Sequence, residues 1–134
     1  MERKKHLSPL YEAWLESKKS EMRNKHGCVI VNNGEIIARG YNKYRYNFLY
    51  TKYGTDTKKG CTIHAEIDAI TKCDKQSLRG SILYVVRFDR KTDGLLYSAP
   101  CHNCEKVLNK MIDKYGMHKV YFSTDMSMKN ILDI

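Results

Sequence analysis

Two short runs, His64-Ala65-Glu66 and Pro100-Cys101-His102-Asn103-Cys104, offer an imidazole, two thiols and a carboxylate. Cysteine sulfur and histidine nitrogen are the donors zinc prefers, in tetrahedral geometry. Two cysteines with two residues between them can reach one ion from the first turn of a helix. His64, Cys101 and Cys104 are therefore the expected metal ligands. A structural zinc site closes with four protein ligands, whereas three leave a position for water. Glu66 lies two residues from His64, and helical neighbours at that spacing point in different directions. It is expected to stand beside the metal rather than on it, where a carboxylate can act as general acid and base. A fourth protein donor would close the site instead. Cys28, Cys61, Cys73 and His102 are the spare candidates, and Cys61 is nearest to His64 in sequence. A lone Cys-x-x-Cys is common in structural sites. The joint pattern, each half at a predicted helix start, favours a catalytic centre.

The elements that must position these residues follow from periodicity. Ser8 as N-cap and Pro9 at the first helical position predict a helix over 8–23, with Leu10, Tyr11, Trp14, Leu15 and Met22 on one face. The apolar runs 28–31 and 36–38 flank Asn33-Gly34, a strong hairpin signal. Thr62 is the expected cap of a helix carrying Ile63, Ile67 and Ile70, which puts His64 in its first turn. Residues 81–86 read as a strand, followed by a polar insert over 89–94 and then Leu95-Leu96-Tyr97. Pro100 suits the start of a helix running through Val107, Leu108, Met111, Ile112 and Tyr115, closed by Gly116. A helix N-terminus carries partial positive charge and favours thiolates. Residues 120–122 form a last short strand. The order α-β-β-α-β-α-β implies a sheet with helices packed on its faces.

At 134 residues the chain has the length of one domain with a proper core. We expect a single domain over 1–134, with 1–7 and 125–134 poorly ordered. No apolar run approaches the roughly 20 residues of a membrane span. The charged start, Met1-Glu2-Arg3-Lys4-Lys5-His6, leads into no apolar segment of a secretory signal. Five cysteines, an odd number, fit poorly with a disulfide framework and better with thiolates in a reducing, cytoplasmic compartment. The formal net charge of +9 implies a surface that attracts phosphates or nucleic acid.

The run Thr62-Ile63-His64-Ala65-Glu66-Ile67-Asp68-Ala69-Ile70 resembles the first zinc motif of the cytidine and deoxycytidylate deaminase superfamily, and residues 100–104 resemble the second. The resemblance extends over about residues 8–124 and includes the hairpin with the Gly40-Tyr41-Asn42 that ends it. It implies a three-layer α/β/α fold around a mixed sheet of about five strands. It also implies one Zn2+ per chain, hydrolytic deamination and a homo-oligomer. Asn42 matches an asparagine that often contacts the substrate's sugar or base, against a plain reading as a turn residue after a strand. Ala65 matches a position that offers its backbone to the base. In that chemistry Glu66 relays a proton from water to a ring nitrogen and then to the leaving ammonia. Where deoxycytidylate enzymes often continue with Gly-x-Pro, this chain has Lys43-Tyr44-Arg45-Tyr46-Asn47.

The substrate stays open at this level. Residues 42–60 read as a long loop or broken helix, with Tyr44, Tyr46, Phe48, Tyr50 and Tyr53 interleaved with Lys43, Arg45, Lys52, Lys58 and Lys59. Such a pattern suits base stacking and phosphate contact, and equally tyrosines packed inward or across a subunit interface. The favoured expectation is deamination of cytosine in a nucleotide or nucleoside. The alternatives are a deaminase of adenosine or cytidine in RNA or single-stranded DNA, and a non-catalytic zinc module that binds nucleic acid. An intact Glu66 argues against the last.

Overall fold

Asn33 and Gly34 both have positive φ, 52° and 79°. That is the conformation of a two-residue type I′ turn, whose twist matches the strands it joins. It connects β1 (Lys25–Asn32) to β2 (Glu35–Tyr41), with Asn32 opposite Glu35 and Cys28 opposite Gly40. The computed structural model describes residues 2–44, 62–89, 91, 94–124 and 128–130. After the hairpin come β3 (Lys43–Tyr44), β4 (Thr62–Ile63), α2 (Ala65–Thr71) and a 3-10 turn at Lys75–Leu78. They are followed by β5 (Ile82–Asp89), β6 (Gly94–Leu96), α3 (His102–Tyr115), β7 (Lys119–Ser123) and β8 (Met128–Asn130). The first helix, α1, is Glu2–Ser17.

The sheet runs β2-β1-β5-β7-β8, with β6 folded back on β5. It is mixed: β5 and β7 are parallel, and the other pairs are antiparallel. Side chains alternate across it. Cys28, Ile30, Leu83, Val85, Val120 and Phe122 pack with α2 and α3 on one face. Val29, Tyr84 and Val86 pack with Ala13 of α1 on the other. The result is the three-layer α/β/α arrangement anticipated for this chain. No helix among the described residues is long and apolar enough to cross a membrane.

Two glycines set how closely the outer layers approach. A methyl at Gly27 would overlap the Ala13 carbonyl and the Ser17 backbone nitrogen of α1. A methyl at Gly40 would sit 2.5 Å from both the Ala65 carbonyl oxygen and the Ala69 nitrogen of α2. Each helix therefore lies directly on the strand backbone.

The first helix departs from its expected bounds at both ends. It begins at Glu2, and Pro9 lies inside it rather than at its first position. Proline in a helix forfeits one backbone bond and crowds the carbonyl four residues back, a local cost that the helix spans. The C-terminal end comes at Ser17, well before residue 23. The Ser17 hydroxyl donates to the Trp14 carbonyl at 2.5 Å, and the amides of Lys18, Lys19 and Ser20 bond three residues back. These bonds satisfy the last carbonyls and turn the chain, so Met22 leaves the helix face. At the other terminus, Met128–Asn130 pairs with β7. Of the aromatic and basic stretch over 42–60, only residues 42–44 are described.

Candidate metal and active site

The two halves of the site sit at helix starts, each two residues later than expected. Thr62 is in β4 and does not cap α2, because its backbone is engaged in pairing with Tyr44. His64 itself is the N-cap, with extended φ −75° and ψ 155°, and its carbonyl accepts the Asp68 amide at 3.0 Å. Likewise Pro100 precedes the cap of α3, and Cys101 takes it with φ −68° and ψ 169°. The Cys101 carbonyl accepts from the Glu105 amide at 2.8 Å, and its sulfur accepts from the Cys104 amide at 3.4 Å. An extended cap residue throws its side chain off the helix end. That is why residues 37 positions apart meet.

The His64 Nδ1 lies 3.1 Å from the Cys104 Sγ and 3.5 Å from the Cys101 Sγ. All three donor atoms lie within 4.8 Å of one another, and no fourth His, Cys, Asp or Glu joins them among the described residues. Zinc–sulfur and zinc–nitrogen bonds of tetrahedral geometry place N and S donors about 3.6 Å apart. The spacing therefore fits one ion. Chemistry agrees. Burial and then the Glu66 carboxylate push the Cys104 thiol well above its ordinary value, so this sulfur needs a cation beside it to become a thiolate. Of the spare donors, Cys28 and Cys73 are buried in the core under α2 and α3. His102 is exposed in the first turn of α3 and outside the donor group. Cys61 lies outside the described residues.

Glu66 is only 5% exposed. Burial raises its carboxyl above the ordinary value, against the opposing pull of its own backbone amide and His64. A carboxyl raised in this way is suited to holding and releasing a proton. It borders a cavity of about 420 Å³ together with His64, Ala65, Cys101 and Asn42. That volume falls in the range of small-molecule sites. Ala65 is wholly buried, with its carbonyl against Gly40.

Asn42 is buried and lines the same cavity. Its Oδ1 accepts from the His26 amide at 2.8 Å, its Nδ2 donates to the Asn24 carbonyl at 2.5 Å, and its own amide donates to the His26 carbonyl at 3.2 Å. It thus clasps the end of β2 to the start of β1, which fixes its carboxamide at the cavity wall. Just beyond it, the Tyr41 amide and the Lys43 and Lys72 ammonium groups converge on Asp68 Oδ2 at 2.9–3.2 Å. Burial opposes ionisation of Asp68, but these partners win and hold its carboxyl below the ordinary value.

Met22, Arg23, Asn24, His26, Ser98 and Ala99 also line the cavity, and none of them stood out as a site residue in the sequence. The helix expected to reach residue 23 hid the first of these. The available signals were a histidine directly before the apolar run of β1 and a serine just ahead of the second motif.

A His/Cys/Cys group that could hold one metal ion, with a buried carboxylate beside it on an α/β/α sheet, is the arrangement of a zinc-dependent nucleobase deaminase. The model of the cytidine and deoxycytidylate deaminase zinc-binding region matches residues 2–124, and the chain belongs to this family. It is accordingly a hydrolytic deaminase with one Zn2+ per chain. Among solved structures it is similar to the dCMP deaminase of cyanophage S-TIM5 in apo form, with 28% identity and a TM-score of 0.65, covering 92% of this chain and 85% of that one. The same phage enzyme in complex with dCMP and dUMP matches at 26% identity and a TM-score of 0.62, over 91% and 82% of the two chains. The cytidine deaminase of Burkholderia pseudomallei shares the fold at 17% identity and a TM-score of 0.61, covering 96% and 94%. A search among curated proteins finds no match.

Proposed function

We propose that this chain, acting as one domain, deaminates the cytosine of a free nucleotide, deoxycytidylate first among them, to the uracil nucleotide and ammonia. The observation that carries this reading is the cavity. It joins the His64, Cys101 and Glu66 end to Arg23, an exposed cation at its rim. A reactive end with a buried Glu66 and, among the described residues, one cation at the cavity edge suit a base, a sugar and a single phosphate. The phage enzyme bound to dCMP and dUMP, 26% identical, supports the same substrate class.

In this reading His64, Cys101 and Cys104 would hold the zinc, which would supply an activated water as the nucleophile for C4 of cytosine. As the water oxygen bonds to C4, Glu66 would take a proton from it and deliver that proton to N3 of cytosine. Glu66 would then carry the second proton to the amino group, and the C4–N bond would break once that group is protonated, releasing ammonia. Asn42 and the Ala65 backbone hold the nucleotide against the site. Burial raises the Glu66 carboxyl above its ordinary value, which favours holding a proton before passing it on.

The test is a product assay by mass spectrometry on zinc-loaded protein, offering cytosine and adenine as base, nucleoside, nucleotide and oligonucleotide. Conversion of dCMP, with little on the nucleoside or oligonucleotide, is expected. A preference for the oligonucleotide, weakening steeply with salt through counterion release, would replace this reading with strand deamination, which the +9 charge also suits.

A further inference from the structure

We propose that His26 is a substrate-contacting, specificity-determining residue, its imidazole hydrogen-bonding the 3′-hydroxyl of the deoxynucleotide sugar. The inference rests on the nucleotide reading above. It goes beyond that reading by assigning a residue outside both zinc motifs.

The ring is held rather than loose. Its Nδ1 shares a 2.9 Å hydrogen bond with the Ser98 hydroxyl, and Ser98 is 3% exposed, with its amide bonded to the Ser123 carbonyl at 2.8 Å. The backbone of His26 is fixed on both its amide and its carbonyl by Asn42. Both His26 and Ser98 line the cavity that contains Glu66. A side chain pinned at one nitrogen and at its backbone is preorganised to offer the other nitrogen to a ligand.

Its place on the wall selects the sugar. Arg23, Asn24 and His26 follow one another into β1, and Asn42, bonded to both Asn24 and His26, lies two residues from Gly40, on which the first turn of α2 with Glu66 is seated. A nucleotide with its phosphate at Arg23 and its base at Glu66 puts the sugar at the level of His26. The ring is also chemically suited. Burial, then Arg87 and His64, hold its pKa down to about 4, so it is a neutral imidazole with one donor and one acceptor. The Ser98 hydroxyl, itself donor and acceptor, complements either tautomer. A sugar hydroxyl can pair with either.

The test is a substrate–variant cycle on the zinc-loaded protein. It crosses wild type and His26→Phe with dCMP and 2′,3′-dideoxycytidine monophosphate, which lacks only the 3′-hydroxyl. Wild type is expected to lose about tenfold in kcat/KM, mostly in KM, when the hydroxyl is removed. His26→Phe is expected to show that loss on dCMP already and to treat both substrates alike. Should the phenylalanine variant fail to fold, His26→Val carries the same cycle. A variant that still discriminates between the two nucleotides as wild type does, or that loses the same factor on both, overturns the contact. A wild type inert on dCMP refutes the nucleotide reading and the contact together, so the two failures are told apart.

Discussion

Replacing Gly40 with alanine adds one methyl on the face of the sheet that carries the chemistry. That methyl starts 2.5 Å from the Ala65 carbonyl oxygen and the Ala69 nitrogen, whereas ordinary contact begins at 3.4 Å. The obstacles are helix backbone, so no rotamer change relieves them. The axis of α2 must retreat by about 0.9 Å. His64 and Glu66 ride on the first turn of that helix, while Cys101 and Cys104 ride on α3. The retreat therefore displaces the carboxylate and one donor relative to the other two. A misplacement of about 1 Å can cost on the order of 100-fold in rate, and overpacking costs about 1–3 kcal/mol of stability. Gly27→Ala is the control on the other face: its methyl would meet the Ala13 carbonyl oxygen of α1 more closely still, but that helix carries neither a metal donor nor Glu66. We expect both variants to lose stability in urea unfolding. Gly40→Ala should fall about 100-fold in kcat/KM at temperatures where circular dichroism shows it folded, and Gly27→Ala should stay within a few-fold of wild type. A folded Gly40→Ala at the wild-type rate, or a Gly27→Ala equally impaired, refutes the idea that α2 is seated by this one contact.

Three further outcomes are expected. Glu66→Gln should retain near-stoichiometric zinc by elemental analysis and lose on the order of 10²–10⁴ in kcat; an active variant would remove Glu66 from proton transfer. Cys101→Ala should bind zinc far below one equivalent, and chelation of the wild type should abolish deamination until zinc is restored, whereas activity in metal-free protein would end the mechanism. His26 has a pKa of about 4 in the folded chain and about 6.5 unfolded. The unfolded state therefore binds the extra proton between these values. The stability contributed by the neutral ring is complete above pH 6.5 and is lost toward pH 4, by about 3 kcal/mol. Unfolding free energies measured across that window should fall more steeply for wild type than for His26→Phe, and parallel slopes would count against a buried neutral ring.

Features with strictly local causes could be read directly from the chain. Asn33-Gly34 dictates its own backbone angles. Gly116 closes α3 in the left-handed conformation at φ 79°. The two zinc motifs carry their donors in fixed spacing. What escaped depends on partners distant in sequence. Thr62 has the look of a cap, yet pairing with Tyr44 claims it for a strand and passes the cap to His64. Pro9 has the look of a helix start, but nothing local says that residues 2–8 will already be helical. The cavity wall at Met22–His26 was invisible because the bond from the Ser17 hydroxyl to Trp14, which stops α1, leaves no periodic trace. The acceptor role of Asp68 was hidden for a similar reason. It depends on the Tyr41 amide and Lys43, which arrive from the end of the hairpin.

The short ladder of β3 and β4 pairs Lys43 with Ile63 and Tyr44 with Thr62. The chain therefore returns, immediately before His64, to the point it left immediately after Asn42. Residues 43–44 and 62–63 are held side by side, next to the Asp68 ion pairs and the start of α2. A displacement of either strand therefore carries Asn42 and His64 with it, so the cavity wall and the first metal donor move as one mechanical part.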